Sequence, residues 1–218
     1  MKNYLAELIG TFAIVFCGTG AIIINEETNG VIGHAGIAAT VGLIVMAMIY
    51  TFGNNSGAHF NPAVTIGFTL AKKFEPQQTL PYIVAQTFGA FLASFTLKFL
   101  FPENINLGAT LPAGSQMQSF ILELILMFIL MLVILNVAHG SKEVGLMAGI
   151  AIGATVGLEA MFAGPVCGAS MNPVRSLAPA IVSGHIQSLW IYLLAPFLGA
   201  IVATYFWLFM NKNNNPNQ

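Results

Sequence analysis

The sequence predicts an all-α membrane protein: six transmembrane helices plus two re-entrant half-helices, arranged as an inverted three-helix repeat. Composition is the first observation. Hydrophobic residues make up 56% of the 218 and charged residues only 7%, with a mean hydropathy of +0.80, whereas soluble domains carry roughly 25% charged residues. The second is a duplicated motif, Gly57-Ala58-His59-Phe60-Asn61-Pro62-Ala63-Val64-Thr65, which returns in register as Gly168-Ala169-Ser170-Met171-Asn172-Pro173-Val174-Arg175-Ser176. The third is the shortness of the apolar run after each motif: about 10 residues, or ~15 Å of helix, half of a ~30 Å hydrocarbon core.

Apolar runs long enough to span give helices near residues 4–24, 32–52, 80–101, 117–137, 144–162 and 189–210. The first run contains Glu7 and has no small-residue cleavage pattern after it. It reads as a retained helix, not a signal peptide. Each half-helix begins at an Asn-Pro corner: Asn is a strong N-cap, and Pro suits the next position because its missing N–H would be unpaired there anyway. One follows the second span, to Ala71 before Lys72-Lys73; the other follows the fifth, to about Val182 before Ser183-Gly184-His185. Broken backbone at membrane depth is tolerated only where protein buries it or it lines a wet cavity, so the two corners imply a solute path near the midplane. Lys2, Lys72, Lys73, Lys142 and Lys212 fall on one side of this arrangement, opposite Glu26, Glu27 and Glu103. The positive-inside rule then puts both termini in the cytoplasm. Lys98, near the end of its span, can snorkel. The expected organisation is a single channel domain over 1–210, with repeat units at about 4–101 and 117–210, and a disordered cytoplasmic tail at 211–218.

The repeat extends beyond the corners. Ala39-Thr40-Val41-Gly42-Leu43 returns as Ala154-Thr155-Val156-Gly157-Leu158, Glu7 answers Glu123, and Gly89-Ala90 answers Gly199-Ala200. Three crossings per unit is an odd number, so the second copy inserts upside down. Inverted repeats of this kind place a solute site at their interface, with half-helix ends pointing at it. Small residues such as Gly10, Gly42, Gly89, Gly153, Gly157 and Gly199 permit close helix approach where lipid supplies no hydrophobic drive.

The two Asn-Pro motifs, the Arg three residues after the second Asn, and the Glu of the first and fourth spans resemble the aquaporin, or major intrinsic protein, family. The resemblance covers essentially residues 4–209. The run from Ala163 to Pro173 is especially similar to the nodulin-like branch and its bacterial relatives, and Val174 departs from the family's usual Ala. The resemblance implies pore-facing motifs at Asn61, Pro62, Ala63 and Asn172, Pro173, Val174. It implies a selectivity ring of Val41 (twenty residues before Asn61), Ala160 (twelve before Asn172), Ala169 (three before Asn172) and Arg175. It also implies loop-bracing roles for Glu7 and Glu123, and a homotetramer with one pore per subunit. Water-selective relatives carry a Phe and a His in the ring; glycerol channels carry aromatics and an Asp after the Arg. This chain has Ser176 there and no Asp anywhere, so its ring is expected to be wide with a single polar side.

The expected function is a passive channel for water and small uncharged solutes. Metalloid hydroxides such as arsenous and boric acid come first, then glycerol, urea and ammonia; protons and ions are excluded by the half-helix dipoles and Arg175. Plainer roles stand beside these: Asn61 and Asn172 also cap helices, and Arg175, the sole arginine, also has donors for loop carbonyls. His59 is expected to brace its loop. No metal is expected there, since no second His or Cys sits at ligand spacing. His34, His139 and His185 lie near span ends, Cys17 and Cys167 read as small apolar helix residues, and Glu159 either anchors the loop before Gly164-Pro165 or faces a neighbouring helix. No cofactor is expected, and a net charge of -1 argues against nucleic acid as a partner; the partners are the bilayer, water and small neutral solutes. A water-selective channel is the nearest alternative. A secondary transporter would need coupling-ion ligands near the corners, and an intramembrane hydrolase a nucleophile-base pair; neither is visible. The short loops suggest a prokaryotic inner membrane.

Overall fold

The computed structural model describes residues 1–138 and 145–212. Eight helices are found there: α1 (Lys2–Glu27), α2 (Gly33–Ser56), α3 (Pro62–Leu70), α4 (Pro76–Leu100), α5 (Gln116–Ala138), α6 (Ala148–Cys167), α7 (Pro173–Ser183) and α8 (Leu189–Met210). Six are long and apolar enough to cross a membrane. The other two, α3 and α7, have 9 and 11 residues, lengths that reach about halfway. Val144, Lys142 and His139, and all of the expected tail but Asn211 and Lys212, lie outside the described residues.

Helix contacts follow the duplication. α1 packs on α2 and α4, as α5 packs on α6 and α8; α3 reaches across to α8 as α4 reaches across to α7; α2 meets its own counterpart α6. Small residues set the separations. A Cβ on Gly89 of α4 would lie 2.2 Å from the Leu8 carbonyl oxygen, and one on Gly199 of α8 would lie 2.5 Å from that of Leu124. Those carbonyls adjoin Glu7 and Glu123, so the same close approach brings each buried acid to its place in both halves. Where the halves meet, a Cβ on Gly42 would be 2.6 Å from the Gly153 carbonyl oxygen and 2.9 Å from the Gly157 Cα.

The fifth spanning helix differs from its expectation. It begins at Ala148 and continues through Gly164-Pro165 to Cys167, where the sequence suggests an end at 162. Proline removes one donor, from the Met161 carbonyl four residues back, and His34 of α2 takes its place through Nε2 at 2.7 Å. The helix therefore passes its proline and stops at Gly168, whose φ of 83° forms a left-handed cap. The chain start shares a cleft with the turn after α3, Met1 and Tyr4 lining it with Lys72 and Lys73, and Tyr4 bonds Gln78 of α4. Lys98 donates to the Pro102 carbonyl at 2.7 Å.

Gly42→Ala is expected to cost about 1 to 3 kcal/mol, because its methyl meets backbone that only helix separation can relieve. Thermal melting in detergent checks it; an unchanged melting temperature would mean that α2 and α6 can part freely.

Candidate permeation pathway

Each Asn-Pro corner folds as its residue types dictate. Asn61 is extended (φ -155°, ψ 122°), and its Oδ1 accepts from the Ala63 N–H at 2.9 Å. Asn172 repeats this with Val174 at 3.2 Å. The side-chain amides also cross the molecule. Asn61 Nδ2 donates to the Met171 carbonyl at 2.8 Å and Asn172 Nδ2 to the Phe60 carbonyl at 2.9 Å, so each Asn grips the residue preceding the other. An amide nitrogen has two donors. One on each Asn closes this clasp, and no hydrogen bond uses the second among the described residues.

The strands entering the corners are non-helical and lie deep in the protein, so their donors need partners. Glu7 supplies them in the first half: Oε1 accepts from the His59 N–H at 3.0 Å and Ser56 Oγ at 2.6 Å, and Oε2 from the Phe60 N–H at 2.7 Å and Gln86 Nε2 at 2.8 Å. Glu123 does the same in the second, accepting from the Ser170 and Met171 N–H groups, each at 2.8 Å. Alternate residues take positive φ to allow it, Ala58 (53°) and Phe60 (51°) against Ala169 (42°) and Met171 (52°). Four non-glycine residues in the left-handed region mark strain that these hydrogen bonds sustain.

A cavity of about 940 Å³ runs along the interface of the halves, and both Asn residues line it together with Val41, Ala160, Ala169 and Arg175. Pro62, Ala63, Pro173 and Val174 start the half-helices but do not line it. Val174 is buried against Val15, Ala90, Ala93 and Ala178, so the unusual side chain is absorbed by packing. His59, which also lines the cavity, has Nδ1 3.1 Å from Thr65 Oγ1 and its ring 4.7 Å from those of Phe68 and Phe74. Glu159 anchors no loop: it is buried, and neither oxygen has a hydrogen-bond partner among the described residues.

Several wall residues carry no sign in the sequence. The segment after α4 contributes Asn106, Ala109, Thr110 and Leu111 to the cavity, although it has no helix or motif to announce it. Arg175 Nη1 donates to its Gly108 carbonyl at 3.3 Å. Gly108 has φ of 65° and no room for a Cβ, which would fall 2.7 Å from that of Thr19, so only glycine presents this carbonyl here. Ser176 is fully buried and joins Thr110 at 2.6 Å to Ser170 at 2.5 Å. Gln86 links Glu7 to Thr65, the latter at 3.0 Å. Its one signal in the sequence is an amide inside an apolar span.

Replacing either acid by Gln leaves buried backbone donors facing an amide, at about 1 to 3 kcal/mol for each group left unpaired. Glu7→Gln should lower the melting temperature more than Glu123→Gln, because beside two N–H groups Glu7 serves Ser56 and Gln86, where Glu123 adds only the weakly donating Cys167 thiol; the reverse order would contradict this division of work.

Comparison with known proteins agrees with this geometry. The model of the family described as major intrinsic protein matches residues 1–207. Aquaporin NIP1-1 of Zea mays is 44% identical over 217 residues, covering 99% of this chain and 77% of the relative. Nodulin-26 of Glycine max is 43% identical over 217 residues, covering 99% and 80%. Among solved structures, the aquaglyceroporin from Plasmodium falciparum superposes with a TM-score of 0.81 at 29% identity, covering 94% of each chain. The two relatives named are plant proteins, so they lend the expected prokaryotic membrane no support. A duplicated Asn-Pro corner, two half-helices braced by buried glutamates and a match spanning nearly the whole chain agree: this protein belongs to the major intrinsic protein family.

Proposed function

We propose that residues 1–210 form one passive channel for water and small uncharged solutes, its ring wide enough for hydroxylated molecules of the size of arsenous acid, boric acid and glycerol. One observation carries the reading. The cavity's ring positions are three small apolar side chains, Val41, Ala160 and Ala169, with Arg175 as the sole charged member. Such a ring gives a hydroxylated solute room on three sides and donors on the fourth. The free amide hydrogens of Asn61 and Asn172 serve its oxygens again at the midpoint. Cations meet two half-helix N-termini and Arg175, all of positive potential.

A coupled transporter is disfavoured because the acids nearest the corners are spent on backbone: Glu7 and Glu123 already accept from the loops they hold. For the same reason we read them as loop braces, not a catalytic pair. We read the N-terminus as cytoplasmic because Met1 shares a cleft with Lys72 and Lys73, and six crossings would return the end of α8 to the same side. A homotetramer suits the apolar side chains that α2 and α6 expose away from the cavity, Leu43, Leu158 and Phe162.

Stopped-flow light scattering on proteoliposomes tests the ring. Val41→Phe with Ala160→His should keep water flow and lose most boric acid and glycerol flux, because an aromatic ring removes space that no binding restores. A double variant that folds, conducts water and still passes these solutes at the parent rate would place selectivity elsewhere. Arg175→Val should raise proton leak, read with an internal pH dye; an unchanged leak would acquit Arg175 as the barrier.

A further inference from the structure

His34 stands outside every family motif in the sequence, yet it lines the same cavity as the ring. It lies seven residues before Val41, two turns along one face of α2 and about 10 Å away. Its Nε2 lies 2.7 Å from the carbonyl of Met161, the neighbour of Ala160. That carbonyl lacks its helical partner because the residue four positions on is Pro165, which has no N–H. The imidazole also covers Gly164, where a Cβ would lie 3.1 Å from its Cε1. One side chain thus fastens the two helices that carry Val41 and Ala160, at the gap a proline made in the hydrogen-bond ladder.

The bond has a chemical consequence. A carbonyl oxygen can only accept, so Nε2 carries the hydrogen and, in the neutral ring, Nδ1 is left as a bare acceptor. His34 is exposed at this mouth. Arg175, in the same cavity, has donors and no acceptor. We infer that His34 is a specificity-determining residue of this channel: pinned by the Met161 carbonyl, it offers an acceptor in the cavity wall two helical turns from Val41, so that a molecule bearing both O–H and oxygen lone pairs meets an acceptor at His34 and donors at Arg175 in succession. The inference rests on the proposed solute class. Water is small enough to pass without both contacts; a polyhydroxy solute sheds more of its hydration and gains more from them.

Two measurements test it. In proteoliposomes matched for channel content, His34→Ala should lower the ratio of boric acid to water permeability about fivefold, the order expected for one lost hydrogen bond. His34→Gln, which retains a donor and an acceptor, should restore most of it. An unchanged ratio in His34→Ala, in a parent that carries boric acid, overturns the inference, as does failure of His34→Gln to recover any of the loss. The second measurement is thermal melting, which needs no solute. Pro165→Ala supplies the missing N–H, so His34→Ala should lower the melting temperature less in that background than in the parent; equal losses overturn the pin. A parent that carries water and no boric acid defeats the proposed solute class and with it the acceptor role of His34, while the melting cycle still decides whether His34 is the pin.

Discussion

The structure depends on keeping broken backbone supplied with hydrogen bonds at membrane depth. A helix satisfies its own donors and acceptors, but a half-helix needs a strand to reach it, and that strand has none to spare. Glu7 and Glu123 answer this need at equivalent places in the two halves, each accepting the two N–H groups that precede a corner. Turning those donors toward the acids is possible only with alternating positive φ. The glycine contacts beneath Leu8 and Leu124 place the acids there. Fold, strain and small-residue packing are therefore consequences of one local shortage of partners.

The corners solve a second problem together. Each Asn must cap its own half-helix, and the spare part of each amide holds the loop of the other half, Met171 for Asn61 and Phe60 for Asn172. Each corner thus holds the loop that leads into its inverted copy. This reciprocity makes the two half-helices one structural unit and leaves two amide hydrogens where the cavity passes between them. In the proposed mechanism a solute oxygen meets these donors after passing Arg175, in a conduit whose other walls are mostly aliphatic.

Much of this architecture is legible in the residues alone. The Asn-Pro corners specify caps and starts, the apolar run lengths separate full spans from half spans, and the duplicated Glu7 and Glu123 point to equivalent tasks. The illegible parts lack local pattern. The wall contributed by Asn106 to Leu111 is irregular backbone placed by long-range contacts, and Gly108 is one glycine among 22. Pro165 reads as a helix end because proline removes a donor; the compensating His34 lies on another helix, which no local window connects. Val174 looks like a change at the site and is a packing residue, since the third position of the corner points away from the cavity. Glu159 is buried without a hydrogen-bond partner among the described residues, and nothing in its neighbourhood explains it.

The central claim, that one cavity through the paired corners is a conduit wide enough for hydroxylated solutes, meets its most direct test in the parent protein. Purified channel in liposomes, challenged by an inward boric acid gradient in a stopped-flow instrument, should shrink and then re-swell far faster than empty vesicles, reaching the outside concentration and no more. Re-swelling at the rate of empty vesicles, with water flow accelerated, would contradict the claim and mark a pore that sieves to water alone.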